Sequence, residues 1–304
     1  MANSQPGFER LDRLSDPILG RSLLAAMEQR RDGASTLFAR ANLARRMGDL
    51  DLARAMFAAF VASGTAPGAA RMDDWSIVPP GLHSAGGVPV APLVLIDDLL
   101  PVDRMDALHA EACRHEHEFR DRMSGAAAYD PASPRRTLLF SDFTCERAFF
   151  GDFVERHMEA LRKSLALPPF AVSRIELKMS NTLGGGFLKI HSDNDCDPQE
   201  EGRALTLLYY FGAGATSFDG GDLLLFDTNP REGTVSPSWF TRIAPARNRL
   251  VAFPSWFFHA VTPTGGTGAR FAHGRMGVSC HVRKTAGEFA PWWDAASPPA
   301  PVLP

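Results

Sequence analysis

Apolar residues recur at helical spacing from Asp16 to about Ser63, in a stretch rich in Ala, Leu, Arg and Met with no proline after Pro17 and a turn residue at Gly33. Two or three short helices fit. Within it, LFARANLARRMGDLDLARAMFAAFV predicts a hairpin that turns at Gly48-Asp49, with Ala53 and Phe57 on the packing face of the second helix. A Gly/Pro-rich segment from Gly64 to Pro92 then interrupts the period and reads as a connection. VAPLVLIDDLL follows as a strand, PVDRMDALHAEACRHEHEF as an amphipathic helix from near Pro101, and Gly151 to Leu165 as a second helix. Between the helices, RDRMSGAAAYDPASPRRTLLF has the small and turn-forming residues of a mobile loop that runs into a strand and covers a site.

From Ala171 the period shortens to two. Strands are expected at Ser173–Met179, Phe187–His191, Ala204–Phe211, Asp222–Phe226, Arg249–Phe253, His259–Pro263 and Arg275–Arg283, separated by Gly, Pro, Asp and Asn. That number of short strands suits a jelly roll. The expected architecture is therefore α+β, mainly β: a helical region and linker over 1–80, a jelly roll with supporting helices over 81–290, and a proline-rich tail over 291–304. The N-terminal hairpin resembles a single tetratricopeptide-type unit, which implies a possible protein partner; an ordinary hairpin packed on the main domain is the equal alternative.

Composition narrows the function classes. The formal net charge is -3 and Lys and Arg are scattered among nearly as many acids, so no nucleic-acid partner is expected. Cys113, Cys145, Cys196 and Cys280 are widely spaced and form no C-x-x-C pair, which suits a reducing compartment. The start MANSQPGFERLDR lacks the basic-then-apolar order of a secretory signal, and no apolar run approaches the ~18 residues of a membrane span. A soluble, cytoplasmic protein with no membrane partner is the expectation.

The chemistry centres on GGGFLKIHSDNDCD. On a strand, residues two apart share a face, so His191 and Asp193 present a nitrogen and a carboxylate oxygen to one space. VAFPSWFFHAVTP supplies His259 at the mouth of another predicted strand. Two imidazoles and a carboxylate make the facial triad that leaves coordination positions open on Fe(II). The run DNDCDPQEE lacks the glycine and flanking helices of a calcium loop and reads as a solvated rim. Gly184, Gly185 and Gly186 precede a strand and no Lys-Ser/Thr follows, so they form a turn and not a phosphate loop.

Further matches follow in order: RALTLLYYF, the Gly-Gly turn of GGDLLLFD, RIAPARNRLVAF, HAVTP and a last strand opening on a basic residue, RMGVSCHV. Together with GGGFLKIHSD these resemble the double-stranded β-helix of the prolyl 4-hydroxylase-like 2-oxoglutarate/Fe(II)-dependent oxygenases, from roughly Val88 to Arg283. The resemblance implies a dioxygenase that uses Fe(II), 2-oxoglutarate and O2, with ascorbate as a possible reductant, and that hydroxylates a C–H bond. Retention of Asp193 sets the chain apart from halogenating relatives.

The co-substrate's distal carboxylate needs an inward-facing cation, preferably a bidentate one. Arg275 fits the family's strand, with Gly277 two residues on and Ser279 four on along the same face; Arg270 is the alternative, because the interval from His259 to Arg275 is long. The resemblance further implies that the Tyr210 hydroxyl meets that carboxylate. Asn181 stands ten residues before His191, where many prolyl hydroxylases carry tyrosine, and is expected to donate to an oxoglutarate oxygen. His281 stands where relatives often have Trp. Arg135 and Arg136, on the candidate lid, could bind a substrate carboxylate or an acidic protein segment, with exposed loop charges as the equal alternative. The motifs GGGFL and GRMGVS are similar to bacterial proline-hydroxylase-like proteins, which implies a prolyl residue of a protein or peptide as substrate. A free amino acid or natural-product intermediate is the small-molecule alternative, and a non-catalytic metal- or partner-binding β-helix protein is the alternative of another class.

Overall fold

Two neighbouring helices, α2 (Ala34–Met47) and α3 (Leu50–Ala62), follow α1 (Pro17–Glu28) and pack closely on each other. Their turn is set by Gly48, whose φ of +81° places it in the left-handed region that a glycine adopts without steric cost. Asp49 caps α3 by accepting from the Leu52 amide at 3.1 Å. Ala53 and Phe57 lie on the buried face of α3, fully covered. The computed structural model describes residues 17–28, 33–64, 72–84, 87–121, 137–194, 199–212, 218–265 and 271–294.

The strands form two antiparallel sheets. The larger contains, in spatial order, β1 (Ser76–Val78), β2 (Leu93–Ile96), β10 (Arg249–Pro254), β7 (Gly202–Tyr210), β12 (Arg275–Lys284), β5 (Val172–Thr182), β4 (Thr137–Phe140) and β3 (Arg120–Asp121). The smaller runs β6 (Leu188–His191), β11 (His259–Val261), β8 (Leu223–Asn229), β9 (Thr234–Ile243). Helices α4 (Val102–Arg114) and α5 (Arg147–Ser164) contribute Leu108 and Leu161 to the same apolar core as Phe57 of α3 and Val282 of β12. The N-terminal helices therefore share a core with the sheets. Among the described residues no helix is long and apolar enough to cross a membrane.

A charged pair fastens the hairpin to the small sheet. Arg45 of α2 is fully buried and meets both carboxylate oxygens of Asp227 on β8 at 2.7 Å, while its Nε donates to Asn42 Oδ1 at 2.7 Å. This two-pronged geometry satisfies the guanidinium inside the protein.

The structure differs from the sequence expectation in two strands that matter. Strand β9 was not expected, because TVSPSWF carries Pro237 and two serines. It pairs with β8 alone at the end of its sheet, where a missing amide donor is tolerated. Strand β5 continues past Met179 through the polar Ser180, Asn181 and Thr182, because it lies between β12 and β4 and both ladders extend to Thr182.

Candidate active site

Strands β6 and β11 pair so that His191 and His259 lie directly opposite each other, with ring centroids 4.2 Å apart. The ladder thus brings together two histidines far apart in sequence. Asp193, just beyond β6, has Oδ1 at 3.8 Å from His191 Nε2 and Oδ2 at 3.5 Å from His259 Nε2. The ligand atoms of all three residues lie within 4.8 Å of one another.

The imidazole tautomers favour a metal. His191 Nδ1 faces the Lys189 carbonyl at 2.9 Å and His259 Nδ1 faces the Phe257 carbonyl at 3.2 Å. A carbonyl only accepts, so each ring donates from Nδ1, and in its neutral form carries the lone pair on Nε2, the nitrogen on the Asp193 side. The carboxylate is positioned in turn. Thr206 donates its hydroxyl to Asp193 Oδ2 at 2.8 Å and accepts from Ser255 at 2.8 Å, while the Asp193 amide donates to the Ser255 carbonyl at 3.0 Å. Burial alone would raise the Asp193 carboxyl, but the positive charge that His259, His281 and His191 carry when protonated, with no metal on Nε2, outweighs it and holds the group well below the usual carboxylate range. Two nitrogens and an ionised oxygen, aimed at one point, fit Fe(II).

A cavity of about 120 Å³ opens from this point between the two sheets. At its floor lies Arg275, 6% exposed, whose Nε donates to the Gly221 carbonyl at 2.6 Å and whose Nη2 reaches the Tyr210 hydroxyl at 3.1 Å. Among the described residues no carboxylate pairs with it. A buried guanidinium with only neutral partners calls for an anion, which is what oxoglutarate's distal carboxylate would supply. Gly221 makes the close approach possible: its φ is +68° and a Cβ there would lie 2.7 Å from Arg275 Cδ. Burial raises the Tyr210 phenol, against the pull of Arg275, so it is a neutral donor at physiological pH.

Strand alternation decides which other residues reach the cavity. On β12, Arg275, Gly277, Ser279 and His281 all line it. Asn181 does not, which corrects the expected contact with oxoglutarate. It is fully buried on the opposite face of β5, and its amide donates to the Phe271 carbonyl at 2.8 Å. Lys178, Ser180 and Thr182 of the same strand face the cavity instead, and counting by twos from Thr182 would have found them. Thr137 of β4, opposite Thr182, lines it too. His281 approaches Asp193 Oδ2 with Nε2 at 3.3 Å, while its Nδ1 is buried without a hydrogen-bond partner among the described residues. Arg135, Arg136, Arg270 and Cys196 lie outside the described residues.

The model of the 2OG-Fe(II) oxygenase superfamily matches residues 177–275, a span that holds all three candidate ligands and ends on Arg275. Over that span the chain is similar to this superfamily. Fe(II), 2-oxoglutarate and O2 are the cofactors that this likeness implies, and His191, Asp193 and His259 form a group that could hold the metal ion. An uncharacterized PKHD-type hydroxylase from Synechocystis sp. is 30% identical over 138 residues, which cover 45% of this chain and 45% of that protein. The chain thus matches about half the length of that relative. A Pseudomonas putida prolyl-4-hydroxylase structure is 20% identical, covers 63% of this chain and 92% of its own, and superimposes with a TM-score of 0.46. A Trichoplax adhaerens prolyl hydroxylase, solved with a hypoxia inducible factor oxygen degradation domain peptide fragment, gives 18%, 63%, 83% and 0.47.

Proposed function

We propose that the chain is a 2-oxoglutarate-dependent dioxygenase that hydroxylates an unactivated C–H bond, with residues 81–290 as its double-stranded β-helix catalytic region. The observation that carries this reading is the pairing of two features in one cavity: a His191-Asp193-His259 triad with both Nε2 lone pairs turned inward, and a buried Arg275 that has no carboxylate partner among the described residues. Bound Fe(II) supplies dioxygen activation, and oxoglutarate supplies two electrons as it is converted to succinate and carbon dioxide.

The protein's residues perform the rest. His191 and His259 bind through Nε2, and Asp193 is kept ionised and correctly turned by Thr206 and Ser255. Arg275 and Tyr210 orient the co-substrate by its distal carboxylate. Leu208, Leu223 and Val261 line the cavity and displace water from the reacting centre.

The substrate we propose is a prolyl residue in a protein or peptide, on the strength of GGGFL and GRMGVS and of the hydroxylase name that the Synechocystis relative bears. The test is succinate formation that needs both Fe(II) and oxoglutarate, coupled to a gain of one oxygen in a prolyl peptide by mass spectrometry. Metal and oxoglutarate binding without any turnover would instead assign a binding role.

A further inference from the structure

The charges that line the cavity do not cancel. The cations among the lining residues are Lys178, Arg203 and Arg275, with Asp193 as the anion. Arg203 is already engaged, because its Nε and Nη2 donate to Glu176 Oε2 at 3.0 Å and 2.7 Å. Arg275 answers the distal carboxylate of oxoglutarate, and a divalent metal answers Asp193 together with the near carboxylate. Lys178 is then the remaining charge. It is half-buried, and among the described residues nothing pairs with its ammonium.

Its position separates it from the co-substrate anchor. Lys178 lies opposite Ser279 and Thr182 lies opposite Arg275, so Lys178 stands four strand positions from the anchor. At the strand rise this is roughly 13 Å, whereas the carbon chain of oxoglutarate contains only about 6 Å of C–C bonds. A molecule that fills the cavity mouth removes water from Lys178, and that desolvation is unfavourable unless the molecule brings a counter-charge.

We infer that the substrate is an anion whose carboxylate is taken by Lys178, close to the carbon that is oxidised. This rests on the proposed oxygenase reading and narrows its substrate class. The carboxylate belongs to an acidic side chain beside the target residue of a peptide or to a free amino acid, and the experiment distinguishes them.

Protein loaded with Mn(II) and oxoglutarate is titrated calorimetrically with terminally blocked Glu-Pro and Pro-Glu peptides, their Gln counterparts, free L-proline and L-prolinamide. One acid is expected to bind at least about tenfold more tightly than its amide, as suits a charge-assisted contact. Lys178→Gln is expected to bring that pair within about twofold. The pair that responds identifies the source. Equal binding of acid and amide throughout overturns the inference, as does a preference that survives Lys178→Gln. A loss of oxoglutarate affinity in Lys178→Gln as large as in Arg275→Gln overturns it too, making Lys178 a co-substrate ligand. Wild-type protein that binds oxoglutarate but no acid refutes the substrate inference alone, whereas failure to bind oxoglutarate refutes the oxygenase reading and the inference with it.

Discussion

The guanidinium of Arg275 lies over the ring of Tyr210, 4.8 Å from its centroid, and reaches the same residue's hydroxyl with Nη2 at 3.1 Å. Face and hydroxyl of one tyrosine therefore hold the arginine in a single orientation, and Gly221 closes the third side.

Arg275→Ala should weaken oxoglutarate binding to the Mn(II)-loaded protein by about 2–4 kcal/mol, because a charged hydrogen-bonding partner is lost from a buried site. Tyr210→Phe should cost only about 1 kcal/mol, since the cation stays in place. Calorimetry measures both, and an unchanged affinity in Arg275→Ala would show that the anchor lies elsewhere.

Gly221→Ala should lower both melting temperature and oxoglutarate affinity. The new methyl meets Arg275 Cδ and Thr264 Cγ2 at under 3 Å and also occupies a left-handed backbone position. A thermal melt and a titration of the same sample check the two effects; an effect on melting alone would show that Arg275 relaxes around the methyl.

Thr206→Val should reduce metal affinity roughly 10–100-fold, the usual effect of removing a partner that orients a ligand. The side chain keeps its size, so the unfolding midpoint should move little. Competition with a coloured chelator reports the affinity, and a value equal to wild type would mean that Ser255 and His281 suffice to position Asp193.

Arg45→Met should destabilise the fold by about 3–5 kcal/mol, because Asp227 is left as an unpaired buried charge. Adding Asp227→Leu should restore much of that loss. Denaturant unfolding of the single and double variants measures the coupling, and additive losses would contradict it.

Cys280 is nearly fully buried, and burial pushes its thiol up to about 12, so almost no thiolate exists at neutral pH. Iodoacetamide at pH 7.5 should label Cys280 only after unfolding, as read by peptide mass spectrometry. Alkylation should begin in the native protein only as pH rises toward that value.

The candidate metal ligands His191 and Asp193 are legible in the chain because the spacing in His-x-Asp and the rules of strand geometry are both local. The facing partner, His259, is legible only through its apolar strand context and the ordered motifs around it; the ladder that sets it opposite His191 is a long-range pairing. Asn181 shows where such reading fails. Its position was counted from His191 across the Gly184–Gly186 turn, whereas the face it presents is set by the register of β5 against β12, which pairs it with Met276. Lys178 and Thr182 escaped notice for the same reason. Strand β9 was hidden by Pro237, whose tolerance depends on the strand's place at a sheet edge, a property that no short window of sequence carries.

Strand β12 joins β7 to β5 in the middle of the large sheet, yet it follows every other described strand along the chain. During synthesis, β5 and β7 therefore emerge from the ribosome with open edges and wait for the segment that bridges them. The cavity floor closes only once residue 284 has been released, so a nascent chain stalled before that point exposes two long unpaired strand edges to chaperones or to neighbouring chains.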